Sequence, residues 1–394
     1  MRQGAGDFML RRIAAALLAL MLAGGMFVCG ARAEEVPAAA QTIPNTRDYE
    51  TKAKGAVVID AQTGRVLFAQ NANLRLPMAS TTKIMTALIT LEQENLDEYF
   101  TVDPAAIKVE GSSMGLREGD QVSLSALAYG MLLPSGNDGA NAAAVRIAGS
   151  KEAFAKLMNE RAAEIGLEDT HFVTPSGLDD PEHYSSAYDM ALLAREALGN
   201  PRFADICSQY KAVAQYGNPP YNRWLQNHNR LLRSYEGAVG VKTGFTDTAG
   251  RCLVSCAMRG GVKLIAVTLG CPDDWNTHAN LYDRYFERLT PTDVEPAIPE
   301  VNVPVAGGET LSVKAVYEPQ QKIPLFEGES LTAQTVLRPL LFAPVEKGEV
   351  LGRVVLSCDG QKLSEITLTA AKSVPAREDD GNSLIGFFQR LIGF

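Results

Sequence analysis

Near Thr290 the apolar pattern changes from mixed strand and helix spacing to strand spacing, and that change limits the possible folds more than any other feature. Beyond it, residues 301–372 alternate apolar and polar, with turn signals at Gly307-Gly308 and Asp359-Gly360 and no long helical pattern. That predicts a small all-β domain over 301–375. Pro291, Pro296 and Pro299 mark residues 291–300 as a linker. Before it, residues 55–69 read as two strands about Gln62-Thr63-Gly64, and Pro77 precedes an apolar helix carrying Ile84, Met85, Leu88, Ile89 and Leu91. Helical spacing recurs at 123–133, 138–148, 151–165 and 186–198. Paired strands follow at 251–257 and 262–270, joined by Gly260-Gly261, and then a helical stretch at 274–289. Strands early, helices between and strands late predict an α/β (α+β) domain over 49–290. Its sheet is closed by segments distant in sequence and flanked by helices. With 394 residues and 46% hydrophobic content, the chain can bury a core in each domain.

The two ends differ from both domains. Arg11 and Arg12 precede the apolar run Ile13 to Leu22, and Ala31-Arg32-Ala33 follows as a cleavage site. Residues 1–33 therefore read as a secretory signal peptide, with a transmembrane anchor as the alternative. A loose segment rich in Ala, Pro and Thr, residues 34–48, comes next. At the other end, residues 376–394 carry an acidic stretch and then a segment whose Leu384, Ile385, Phe387, Phe388, Leu391, Ile392 and Phe394 share one half of a helix. It is too short to span a bilayer. It is suited to lie in the membrane interface, and the polar stretch before it favours lipid over docking on its own protein.

A net charge of -9 argues against nucleic acid as a partner, since phosphate binding needs a basic face. Cleavage at Ala33 leaves five cysteines, an odd number. Cys252 and Cys256 lie four residues apart on a predicted strand, about 13 Å, too far for a disulfide, and most of the five read as core residues. His171, His183, His228 and His278 show no ligand spacing, and His171 reads as structural. No metal or organic cofactor is expected.

Three short motifs carry the chemistry. Ser80-Thr81-Thr82-Lys83 opens the apolar helix, and a spacing of three turns hydroxyl and amine to one side. A lysine made neutral by burial or a nearby cation can take the serine proton, and the helix start offers N–H groups to an oxyanion. Ser135-Gly136-Asn137 lies between helices, where a hydroxyl can relay a proton and an amide can orient a carbonyl. Lys242-Thr243-Gly244 comes ahead of the strand 251–257. A cation and a hydroxyl there can hold a carboxylate, and Gly244 lets a backbone approach. Each motif alone is common as a helix cap, a turn or a strand end.

Together and in this order, the motifs resemble those of the penicillin-binding proteins and β-lactamases. Their surroundings, LPMASTTKIMTAL, LLPSGNDGANAAA, HFVTPSGLDDPEHYSSAYDMALLAREAL and NRLLRSYEGAVGVKTGFTDTAGRCLV, resemble the serine D-alanyl-D-alanine carboxypeptidases of peptidase family S11 from about residue 50 to 290. The resemblance implies a penicillin-binding/β-lactamase-like catalytic domain. It implies Ser80 as nucleophile, Lys83 as its base and Ser135 as proton donor to the leaving amine. It implies Asn137, Lys242, Thr243 and Gly244 as peptide and carboxylate ligands. The N–H groups of Ser80 and Phe245 would form the oxyanion hole. Partners would be peptidoglycan stem peptides, with β-lactams as covalent inhibitors, outside the cytoplasmic membrane or in the wall or periplasm. Two departures stand out: Phe245 replaces a histidine found in some relatives, and no arginine lies near Cys271, where some relatives bind the carboxylate. Arg251 is close in sequence without an assigned place. A β-lactamase would need an E-x-x-L-N segment between Ser135 and Lys242, and none is present. A D,D-endopeptidase on cross-links and a non-catalytic wall-binding protein remain as alternatives.

Overall fold

The computed structural model describes residues 43–47, 49–318 and 322–377. The predicted signal peptide and the apolar tail, residues 382–394, lie outside these. The first body runs β1 (Gly55–Asp60), β2 (Val66–Gln70), a 3-10 turn (Ala79–Thr82), α1 (Lys83–Leu91), β3 (Phe100–Thr101), β4 (Gln121–Val122), α2 (Leu124–Leu132), α3 (Asn137–Ala148), α4 (Lys151–Ile165), α5 (Ala187–Gly199) and α6 (Pro201–Ser208). It continues with β5 (Lys211–Gly217), β6 (Pro220–Gln226), α7 (Leu231–Ser234), β7 (Ala238–Thr246), β8 (Gly250–Arg259), β9 (Val262–Leu269) and α8 (Asp274–Arg288).

Its main sheet is antiparallel in the order β2-β1-β9-β8-β7. The first strand closes on the last, Gly55 opposite Leu269 and Asp60 opposite Leu264, as the early-and-late distribution of strands predicts. The alternation of side chains assigns the two faces. Val57 and Ile59 join Val254, Ile265 and Val267 in the core shared with α1 to α6. Ala56 and Val58 join Leu264, Ala266 and the α8 residues Leu281, Tyr282 and Tyr285 on the other face. Burial on both sides is why β1 carries an unbroken apolar run of Ala, Val and Ile. Helix α1 is buried along its whole length, and Ser123, Ser150 and Ser186 cap α2, α4 and α5 by accepting from backbone N–H groups three residues on.

The second body holds β10 (Leu289–Thr292), β11 (Asn302–Ala306), β12 (Ser312–Val316), β13 (Ile323–Phe326), β14 (Thr332–Leu337), β15 (Leu341–Phe342), β16 (Val350–Cys358) and β17 (Gln361–Ala370). Six of these strands form one sheet, in the order β14-β16-β17-β12-β11-β15, over a core that includes Val303, Val313, Leu351, Val354 and Ile366. No helix among the described residues is long and apolar enough to cross a membrane.

Two differences from the sequence reading have physical reasons. Residues 291–300 are not wholly a linker: Pro291 sits in β10 opposite Pro324 of β13. A two-stranded ribbon between prolines sacrifices little, since neither residue has an N–H to pair. The β5–β6 hairpin was not expected. Its alternation of buried and exposed residues is regular along β5, but Tyr221 and Trp224 on β6 face solvent and break the apolar signal.

Candidate active site

Ser80 sits in the 3-10 turn just ahead of α1, and Lys83 is the first residue of that helix. One tight turn brings the Lys83 amine within 2.9 Å of the Ser80 hydroxyl. Ala79, just before the serine, has φ 49, a left-handed value that a non-glycine residue holds only under restraint. The restraint is visible. Thr82 Oγ1 donates to the Ala79 carbonyl at 2.8 Å and lies 2.8 Å from His183 Nε2. The Val173 N–H donates to His183 Nδ1 at 2.9 Å. The ring proton therefore belongs on Nε2, where it donates to Thr82. Burial pushes His183 down to about 4, so the ring is neutral.

Lys83 is fully buried, and its amine has three partners. Asn137 Oδ1 and the Ser176 carbonyl, each at 2.6 Å, can only accept. They use two N–H bonds. A neutral amine then keeps one lone pair, and the third partner, the Ser80 hydroxyl, can donate into it. Burial is the main force lowering the Lys83 pKa well below its ordinary value, the charge of Lys242 adds to it, and Asp138 pulls the other way.

Asn137 opens α3 and also donates from Nδ2 to the Glu110 carbonyl at 2.7 Å. Its neighbour Asp138, buried, accepts from Ser113 Oγ at 2.6 Å and from the N–H groups of Met114, Gly115 and Leu116 at 2.9–3.0 Å. The pair ties residues 110–116 to the α3 start. Ser135, with φ 64, is the second strained non-glycine residue here. Its hydroxyl accepts from Lys242 Nζ at 2.9 Å.

Lys242, Thr243 and Gly244 lie on strand β7, ahead of β8, as the sequence reading expected. β7 is the free edge of the main sheet. Lys242 is buried, its amine donates to its neighbour's carbonyl at Thr243, and burial pushes it down to about 7. Gly244 is required by close approach: a Cβ there would lie 3.1 Å from the Ser80 nitrogen and 3.0 Å from the Met78 carbonyl. The strand edge and the serine turn are thus in contact. Beside them opens a cleft of ≈ 700 Å³ lined by Ser80, Ser135, Thr243, Gly244 and Phe245. Phe245 is 62% exposed.

All eight residues expected from the motifs therefore meet at this cleft or directly beneath it. The structure adds Arg251, which lines the same cleft. It is opposite Phe245 in the β7–β8 register, and its Nε and Nη2 donate to Asp274 Oδ1 at 3.0 and 2.8 Å. Ser176, Asp138 and His183 were missed. Their signals, the TPSG loop, the acid after S-G-N and the histidine before Tyr184, give no clue to such distant partners.

Such a body, with a serine–lysine pair facing a strand edge and a β-rich domain behind it, has the architecture of the penicillin-binding proteins. Residues 39–273 match the family model described as D-alanyl-D-alanine carboxypeptidase, and residues 296–376 match the C-terminal domain of penicillin-binding protein 5. The chain belongs to the D-alanyl-D-alanine carboxypeptidase family, peptidase S11. It is 39% identical to the D-alanyl-D-alanine carboxypeptidase DacF of Bacillus subtilis over 57% of this chain and 59% of that one. It is 35% identical to the D-alanyl-D-alanine carboxypeptidase DacB2 of Mycobacterium tuberculosis over 65% of this chain and 88% of that one. Among solved structures, penicillin binding protein 5 from Haemophilus influenzae superposes with a TM-score of 0.67 at 29% identity, covering 84% of this chain and all of that one.

Proposed function

We propose that this chain is a serine-type D-Ala-D-Ala carboxypeptidase that removes the terminal D-alanine from peptidoglycan stem peptides through an acyl-enzyme on Ser80. The observation that carries this reading is the Lys83 amine, whose two accept-only partners leave its lone pair to the Ser80 hydroxyl. Burial lowers the pKa of both lysines, and the charge of Lys242 lowers that of Lys83 further, which suits Lys83 as the neutral base and Lys242 as the cation.

The substrate strand lies along the free edge of β7. Lys242 and Thr243 hold its terminal carboxylate, with Arg251 as a further cation at the cleft, and Asn137 holds the peptide's flank. Ser80 passes its proton to Lys83, and Oγ bonds to the carbonyl carbon between the two D-alanines. The N–H groups of Ser80 and Phe245 take the oxyanion. The C–N bond breaks as Ser135 delivers a proton to the leaving amine, and free D-alanine departs. Water then hydrolyses the ester and restores Ser80. A β-lactam acylates the same oxygen. Rapid deacylation of the β-lactamase kind lacks a base: Asp274, the carboxylate among the described cleft-lining residues, is held by Arg251.

We further propose that residues 1–33 export the chain, that 49–290 form the catalytic domain and 301–375 the β-rich domain. On this reading the segment 376–394 holds the enzyme peripherally at the outer face of the membrane. The test is labelling by a fluorescent penicillin, with mass spectrometry of products from a pentapeptide. The expected result is loss of one D-alanine by the native chain, and neither product nor label with Ser80→Ala. Equal labelling of the two would remove Ser80 from the reaction.

A further inference from the structure

Two of the most exposed large apolar side chains among the described residues are Leu311 and Phe342, at 78% and 75%. They are far apart in sequence and lie at one end of the β-rich domain. Strand β11 brings them together. The Val305 N–H donates to the Leu311 carbonyl at 2.9 Å on one side, while Ala306 pairs with Phe342 of β15 on the other. Two strand spacings, about 10 Å, separate their backbones. The described chain leaves the domain at the same place. Gly308 pairs with Ala376, the Glu309 N–H donates to the Pro375 carbonyl, and the Arg377 N–H donates to the Gly307 carbonyl at 2.8 Å. The apolar segment 382–394 therefore starts a few residues from this tip.

A domain that needed these two side chains for its own packing would bury them, and its core is complete without them. Binding of an amphipathic segment at the interface strengthens with the apolar area it buries, so a second apolar contact beside it adds to attachment. Within the tip itself Glu309 and Arg377 offset each other, so a contact made here is apolar rather than electrostatic.

We propose that this tip is a second membrane contact, with Leu311 and Phe342 entering the lipid interface beside the tail. The inference rests on reading 382–394 as a lipid-binding segment, and its test separates the two. Residues 34–394 are mixed with vesicles of phosphatidylethanolamine and phosphatidylglycerol, and partition is measured by flotation. Leu311→Ser with Phe342→Ser is expected to lower partition roughly tenfold or more, with the loss persisting in high salt. Melting temperature and penicillin labelling stay unchanged, since both side chains already face solvent. Separately, Phe342→Trp gains an emission component that shifts to the blue on vesicles and is quenched by brominated lipid.

Partition equal to the native chain, or an indole at 342 untouched by brominated lipid, overturns the proposal. So does a double variant that changes only the sedimenting mass, which makes the tip a contact between copies. So does one that changes only protease access to the tail, which makes it the tail's own docking site. If Phe387→Asp with Phe388→Asp leaves partition intact while the tip variant lowers it, the tail reading falls and the tip contact stands.

Discussion

At the level of single residues, the proposed mechanism rests on two buried lysines in different protonation states. Burial depresses both. On that mechanism Lys83 works as the free amine, so the acid limb of acylation is expected well below lysine's ordinary range. On the same mechanism Lys242 works as the ammonium, which is present below about 7 and lost above it. The rate of acylation by a penicillin is therefore expected to fall as pH rises through about 7, and Lys242→Arg should move that limb upward, since guanidinium does not titrate there. Stopped-flow labelling across pH 5 to about 10 checks this. His183 gives a second pH effect, on stability. Its folded value of about 4 lies below the ordinary 6.5, so the unfolded chain takes up a proton first as pH falls. Stability is full above 6.5 and drains as pH falls toward 4, by a few kcal/mol. His278, fully buried and pushed down to about 3, acts in the same direction. In urea unfolding, His183→Gln should flatten the part of this slope that belongs to position 183. The Ser80–Lys83 spacing made the nucleophile legible in sequence. Arg251 was not, because its place depends on a strand register that local patterns do not encode.

The elements around the site are positioned by close backbone contact as much as by side chains. Gly177, at φ +83, sits so that an added Cβ would fall 2.1 Å from the Ala79 carbonyl and 2.8 Å from Thr82 Oγ1. Gly177→Ala should therefore push away the strained residue before Ser80. The expected result is loss of penicillin labelling with at least ~2 kcal/mol of destabilisation in urea. Gly244→Ala makes milder contacts, 3.0–3.1 Å, and should leave a folded protein. A small outward shift of β7 then lowers kcat/KM by about 10²-fold. Helix and strand periods located most of these elements. The β5–β6 hairpin escaped because Trp224, opposite Val213 on its solvent face, is apolar where alternation calls for a polar residue. The strand setting of Lys242-Thr243-Gly244 was legible, but not that this strand is the edge of the sheet, which depends on pairing between distant segments. Gly240, at φ +157, and Gly244 both serve close approach within β7.

At the scale of the whole molecule, the described residues join the two bodies through the β10–β13 ribbon and, among other contacts, a clamp. The Arg65 guanidinium donates to both oxygens of Glu329 and lies over the Phe326 ring at 5.3 Å. Phe326 in turn faces Leu289 across the ribbon. The pair is about 13–14% exposed, so removing one partner strands a largely desolvated charge. Glu329→Ala is expected to cost about 1–3 kcal/mol and to split one calorimetric transition into two, with penicillin labelling at Ser80 unchanged. Sequence alone showed two domains from the change of period but not this joint, since residues 65 and 329 share no local pattern. The cysteines were legible as core residues, and all five in the described chain are buried and unpaired. Buried in this way, the five described thiols are expected to react with alkylating reagents only slowly until the molecule opens. In a chain lacking residues 1–33, the rate of thiol modification is thus a clock for unfolding, readable without a probe.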